Sequence, residues 1–149
     1  MPVSRRQLSR EFTREAVRKT REIYMDLAQR PIERYCVGRA VCCHFSLTGK
    51  IPSVTRGEAL VMWAAIRASG RKRLPESTDG ACPLLNPQTK RCLIYDGRPF
   101  GCRTHFCAAA GGPYERREVL DLIRRLEVID AESGGDGPKP LENALRGVE

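Results

Sequence analysis

The stretch from Cys82 to Cys107, CPLLNPQTKRCLIYDGRPFGCRTHFC, holds four of the chain's seven cysteines and one histidine among many turn-forming residues. A second group, Cys36 to His44 (CVGRAVCCH), lies upstream. These two segments contain every cysteine and both histidines, so the side chains that could ligate a soft metal fall in two patches. We expect the fold to bring the two patches together.

The candidate ligands differ in spacing from familiar metal motifs. They are Cys36, Cys42, Cys43, His44, Cys82, Cys92, Cys102, His105 and Cys107. Thiolate and imidazole suit zinc, ferrous iron and iron-sulfur clusters, but the pairs are too widely spaced for a zinc finger and do not match a bacterial ferredoxin. Either four cysteines hold one site and three are spare, or seven cysteines and a histidine fill two tetrahedral sites.

Length and charge restrict the class of protein. A chain of 149 residues fits one domain, and it contains no run of about 18 apolar residues that could span a membrane. Its beginning, MPVSRRQLSREFTRE, lacks the apolar stretch of a secretory signal, so we expect a cytoplasmic protein. In that reducing compartment an odd number of cysteines favours metal-bound thiolates over disulfides, with unlinked thiols as the other alternative.

The net charge of +8 raises the question of nucleic acid. The basic residues are spread along the chain and alternate with acidic ones, as in YERREVLDLIRRLE from position 114 to 127. Solvated helix faces explain that pattern better than a phosphate-binding patch does, so we consider nucleic-acid binding the weaker interpretation.

Three segments are predicted to be helical. Residues 4–29 carry an amphipathic pattern, which Pro31 ends. A second helix starts at Thr55 with the capping box Thr55–Glu58, ends at Gly70, and buries Trp63 in the core. The third covers 114–131. Its apolar seam is formed by Val119, Leu122, Ile123, Leu126 and Ile129.

The predicted fold class is mainly α. We expect a single metal-binding domain over residues 1–132, with about three helices around an irregular cysteine-rich metal knuckle at 36–107. Residues 83–85 and 91–95 are candidates for a short β-hairpin within the knuckle. Gly, Pro and charged residues dominate 133–149, so we expect a mobile tail there.

The order of the cysteine motifs resembles a known family. CVGRAVCC, CPLL, CLIY and RPFGCR follow one another as in the YkgJ-like cysteine-cluster family, which has the motif CxxCxxCC and is described as zinc- or iron-chelating. The resemblance covers about Cys36 to Cys107. It implies that Cys36, Cys42, Cys43, Cys82, Cys92 and Cys102 are metal ligands. Arg39 stands where the second cysteine of the motif would be. Either Cys107 or a histidine substitutes for it, or the cluster is simpler in this chain.

Two functions follow from these observations. The first is a cytoplasmic protein that chelates zinc or iron, the iron either as an ion or in an iron-sulfur cluster, with a redox, metal-handling or sensing role. The alternative is a zinc-stapled module that binds nucleic acid or a protein partner through its basic helices. An enzyme with His105 as a base is disfavoured, because the sequence contains neither an HExxH motif nor a Ser, His and Asp arrangement. The oligomeric state is left open.

Overall fold

A computed structural model describes residues 2–30, 50–77, 79–105 and 113–149 of the chain. These segments form five helices and one small sheet. The helices are α1 (Arg5–Ala28), α2 (Arg56–Ala68), α3 (Phe100–Thr104), α4 (Arg116–Glu132) and α5 (Leu141–Gly147). The strands are β1 (Ser53–Val54) and β2 (Lys139–Pro140). The mainly helical prediction is confirmed.

The ends of α1 and α2 are the ones that the sequence indicates. Ser4 caps α1 by accepting a hydrogen bond from the Gln7 amide at 3.2 Å, and the Gln7 side chain accepts one from the Ser4 amide at 2.9 Å. At the start of α2, the Glu58 carboxylate accepts hydrogen bonds from both the amide and the hydroxyl of Thr55, each at 2.8 Å. Gly70, with φ of 88°, follows the end of α2.

The central element is α2, which separates two apolar clusters. On one side, Val61 packs with the buried faces of α1 and α4. On the other side, Met62, Trp63 and Ile66 pack with the 81–94 segment and α5. Trp63 is only 1% exposed, as expected of a core residue. A helix buried on both sides can hold the cysteine-bearing segment in a fixed position against α1.

Gly57 marks the point where α1, α2 and α4 come closest. A Cβ atom there would lie 2.6 Å from Thr20 Oγ1 on α1 and 2.8 Å from Ile129 Cγ2 on α4. Only glycine allows the three helices this approach, because real Cβ atoms do not come so near to other heavy atoms.

The predicted mobile tail at 133–149 is wrong. Leu141, Ala144 and Leu145 are buried in the cluster beside α2, and the Trp63 indole donates a hydrogen bond to the Leu145 carbonyl at 2.7 Å. Their spacing of three and four residues places them on one face of α5. The Gly, Pro and charged residues that suggested a tail belong instead to the turn before α5.

The sheet also differs from the hairpin that we expected. β1 pairs antiparallel with β2, Ser53 opposite Pro140 and Val54 opposite Lys139. This pairing joins segments far apart in sequence, so no local turn signal announces it. Between 83–85 and 91–95 the structure has a single antiparallel bridge, Leu85 to Cys92.

Candidate metal centre

A tight turn brings Cys82 and Cys92 to one edge of the core. The Leu93 amide donates to the Leu84 carbonyl at 2.8 Å, and the Asn86 amide donates to the Arg91 carbonyl at 2.9 Å. Within the turn, the Asn86 side chain accepts from the Gln88 and Thr89 amides, at 2.9 and 3.2 Å. Cys82 is buried in the cluster beside α2, and Cys92 packs against that cluster.

The pKa of the Cys82 thiol is raised to about 11, mainly by burial, with smaller contributions from the nearby Cys92 and Glu142 that the backbone amides of Leu84 and Leu85 oppose. The ordinary value is 9.0. At neutral pH this sulfur is therefore a thiol unless a cation replaces its proton. Zinc and iron bind the thiolate, so the loss of that proton would accompany metal binding.

Cys102 lies on the short helix α3, whose position is set by the turn before it. The Cys102 amide donates to the Pro99 carbonyl at 3.0 Å. In the 3₁₀ turn Tyr95–Gly97, a Cβ at Gly97 would come 2.7 Å from Ala65 Cβ, so this turn packs directly on α2. Cys102 is consequently carried by backbone that is held against the central helix.

Arg103 connects α3 to the 3₁₀ turn and to α1. Its guanidinium donates to the carbonyls of Arg98 at 2.7 Å and Asp96 at 2.5 Å, and its Cζ lies 4.0 Å from the centre of the Tyr24 ring. Burial lowers the pKa of Arg103, while Tyr24, Asp96 and Cys102 favour its charged form. Arg98 is likewise bonded to a carbonyl, that of Tyr95 at 3.0 Å. Both arginines therefore bind backbone carbonyls.

Glu58 is the buried centre of this region. Glu58 is only 2% exposed to solvent. Besides the two bonds from Thr55, it accepts a hydrogen bond from the Phe100 amide at 2.7 Å and one from the Tyr24 hydroxyl at 3.4 Å. Burial raises the pKa of Glu58, and the donors from Thr55, Phe100 and Tyr24 oppose that rise. One carboxylate therefore ties α1, α2 and the start of α3 together.

The sequence predicted only part of what Glu58 does. The Thr55–Glu58 spacing identifies it as a helix-capping residue, and that role is confirmed. Its bonds to Tyr24 and Phe100 reach 34 and 42 residues along the chain. No local pattern signals contacts at that separation.

The described residues bring together two of the predicted ligands, Cys82 and Cys92. Cys102 lies with Tyr24 and Arg103, and His105 follows the last residue of α3. Within residues 2–30, 50–77, 79–105 and 113–149, no three His, Cys, Asp or Glu side chains form a group that could hold a metal ion. The other predicted ligands lie outside these ranges; they are Cys36, Cys42, Cys43, His44 and Cys107.

The donor chemistry of the described cysteines fits a soft metal. Cys82, Cys92 and Cys102 are not in disulfide bonds, and each is on a backbone segment packed against α2 or its neighbours. They supply too few ligands for a tetrahedral site by themselves, so a complete set would need residues of the 36–44 or 105–107 segments.

Comparison with known proteins places these residues in a family. Residues 34–122 match the model of the CxxCxxCC family, described as a "Putative zinc- or iron-chelating domain". The match covers more than half of the chain. This chain belongs to the CxxCxxCC family. The family match reaches beyond Cys107 into the first two turns of α4, so it includes part of the helix that packs against α1.

No curated protein and no solved structure matches the chain. Among the helices in the described part of the chain, none is long and apolar enough to cross a membrane. Family membership supports zinc or iron as the metal that this chain binds.

Proposed function

We propose that this protein chelates zinc or iron through clustered cysteine thiolates and works in metal handling, sensing or electron transfer. Its membership of the CxxCxxCC family carries the proposal. The arrangement of Cys82 and Cys92 supports it, because one tight turn brings these two thiols near each other at the edge of the core.

The proposed ligand set combines both cysteine groups. Cys82, Cys92 and Cys102 would provide the ligands of the described body, and Cys36, Cys42 and Cys43 those of the upstream segment. Cys107, His44 or His105 would complete the set in place of the cysteine that Arg39 replaces. A bound metal would supply either a structural crosslink or, as iron or an iron-sulfur cluster, a redox centre.

The protein's own residues have two tasks in this scheme. Cys82 gives up its proton when the metal binds, because burial disfavours its thiolate in the absence of a cation. Arg103 places a positive charge beside Cys102, which partly offsets the negative charge of a thiolate group. Unlinked thiols of this kind need a reducing environment, so we propose the cytoplasm as the compartment.

The first experiment measures metal and acid-labile sulfide, with a visible absorption spectrum, on protein purified without oxygen. Iron with sulfide and a brown chromophore indicates a cluster, and zinc in a colourless protein indicates a structural or metal-handling site. Cys82→Ser and Cys102→Ser should each lower the metal content while circular dichroism still shows a helical protein.

The control variant is Val128→Ser, which introduces a serine at an exposed position of α4. It should retain the full metal content. The proposal fails if the wild type binds neither metal after anaerobic purification and reconstitution, or if both cysteine variants keep as much metal as the control.

A further inference from the structure

The first three turns of α1 extend beyond the rest of the protein. α1 and α4 run antiparallel, since Arg125 pairs with Asp26 at 2.6 Å and Lys19 pairs with Glu132, the last residue of α4, at 3.2 Å. Every residue from 2 to 15 is exposed. Burial of α1 begins at Ala16, where α4 ends beside it.

This free end of α1 borders a groove. The groove has a volume of about 410 Å³ and is lined by Arg5, Leu8, Ser9, Phe12 and Thr13 of α1, by Arg56 and Leu60 of α2, and by Glu132, Ser133 and Gly134 at the end of α4. Leu8 and Phe12 remain 43% and 64% exposed. The helix therefore offers two large apolar side chains to an open channel.

The position of the groove indicates the shape of its occupant. Leu8 and Phe12 continue the stripe that contacts α4 farther along, at Ala16 and Ile23. The groove thus lies where an extension of α4 would pack, but the chain turns away at Gly134, which has φ of 87°. A separate helix lying in line with α4 would pack against the first turns of α1 in the same way that α4 packs against the later turns.

The charge around the groove indicates the chemistry of the occupant. Residues 5–14 contain four arginines and one glutamate, a net charge of +3. Within the described part of the chain, no ion pair involves these four, Arg5, Arg6, Arg10 and Arg14, and the buried Nε of Arg56 has no hydrogen-bond partner. The acidic group on the rim, Glu132, is already paired with Lys19. Of these four arginines only Arg5 lines the groove, and Arg56 lines it from α2. Neither forms an ion pair within the described residues, so the groove carries two positive side chains that are not neutralised there.

We propose that this groove binds an acidic amphipathic helix of a partner protein. The apolar side of that helix would contact Leu8 and Phe12, and its carboxylates would pair with Arg5 on the α1 side and Arg56 on the α2 side. A second copy of this chain suits the groove less well than an acidic partner, because two copies that each carry a net charge of +8 repel each other. The inference does not depend on the metal.

The test is a fluorescence anisotropy titration with a labelled synthetic peptide. The peptide has about 20 residues so that it can form a helix, with leucines on one face and glutamates on the flanks. A matched peptide has alanine at each leucine position. We expect the leucine peptide to bind more tightly than the alanine peptide, and its affinity to fall as salt is raised to about 0.5 M.

Two double variants locate the binding site. Leu8→Ser with Phe12→Ser should weaken binding of the leucine peptide about tenfold or more. Met25→Ser with Val128→Ser removes two equally exposed apolar side chains outside the groove and should leave binding unchanged. All four positions are exposed, so circular dichroism and the melting temperature should confirm that both variants fold.

Other outcomes would overturn the inference. These are equal binding of the two peptides, equal binding by the two double variants, or no binding of the leucine peptide at concentrations near 100 micromolar, roughly the range of weak helix-groove contacts. Binding of an oligothymidine or of phosphatidylserine vesicles that does not require Phe12, together with no binding of the peptide, would show that the arginines bind nucleic acid or a membrane instead. A Phe12-dependent dimer in sedimentation would assign the groove to a second copy.

Discussion

At the scale of single residues, Glu58 controls how α1, α2 and α3 meet. Replacing it with alanine would leave the buried amides of Thr55 and Phe100 without an acceptor. We expect Glu58→Ala to lower the free energy of unfolding by about 3 kcal/mol, because each buried unsatisfied donor costs about 1–3 kcal/mol. Urea denaturation would measure the loss. The matched control is Glu127→Ala on the exposed side of α4, which should change stability by less than about 0.5 kcal/mol. Equal losses for the two variants would contradict the structural role of Glu58.

Glu58 also predicts a pH dependence. Burial raises its pKa in the folded protein above the ordinary value of 4.5, so the folded state retains a proton that the unfolded chain has already released. This contribution to stability is present at low pH and is lost as pH rises from about 4.5 through the folded-state pKa. Relative to Glu58→Gln, the wild type should therefore lose stability as the pH rises above about 4.5. A constant difference between the two proteins across that range, or a relative gain by the wild type, would show that the hydrogen bonds outweigh burial.

At the scale of elements, α5 is held in place by residues that are distant in sequence. Leu145 is fully buried against α2, and its carbonyl accepts the Trp63 indole hydrogen bond. We expect Leu145→Ala to cost about 2–5 kcal/mol, the range for a large aliphatic side chain removed from a core. Trp63 is the single tryptophan of the chain, so its fluorescence reports the unfolding of this region directly. Val128→Ala, at an exposed site, serves as the control, and a loss at Leu145 no larger than at Val128 would mean that α5 is only loosely held.

The turn before α5 is held by an acidic side chain that the sequence did not single out. Asp130 on α4 is buried, and its carboxylate accepts hydrogen bonds from the Arg56 amide at 2.7 Å and the Gly137 amide at 2.9 Å. It therefore caps the start of α2 and fixes the turn into β2 at once. This connection explains how a segment rich in Gly and charged residues can be ordered.

At the scale of the whole molecule, the two apolar clusters predict how the protein responds to loss of metal. A zinc finger unfolds without its metal because it has almost no core. Here, both faces of α2 are packed against other helices. We therefore expect a chelator to lower the melting temperature by several degrees while most of the helical circular dichroism signal remains, roughly the effect of losing a crosslink of about 2–3 kcal/mol. Complete loss of the helical signal on chelation would show that metal, and not packing, maintains these helices.

The sequence by itself determined the three long helices, α1, α2 and α4, and the chemical character of the cysteine segments. Periodic apolar residues, the Ser4 and Thr55 caps and Gly70 are local signals, and they act over a few residues. The resemblance carried by the ordered motifs indicated the family that the match over 34–122 then established. The predicted ligands at 36–44 and Cys107 lie outside the described residues and stay predictions.

Only the tertiary structure decided how these elements meet. Three features join segments that are distant in sequence. They are the packing of α5 against α2, the pairing of β1 with β2, and the hydrogen bonds from Tyr24 and Phe100 to Glu58. Composition pointed to a mobile tail because local polarity hides three apolar residues that only a preformed core can bury. The burial of Glu58 was not predictable from the sequence for the same reason. A carboxylate looks like a surface group until separate segments supply the donors that make its burial tolerable.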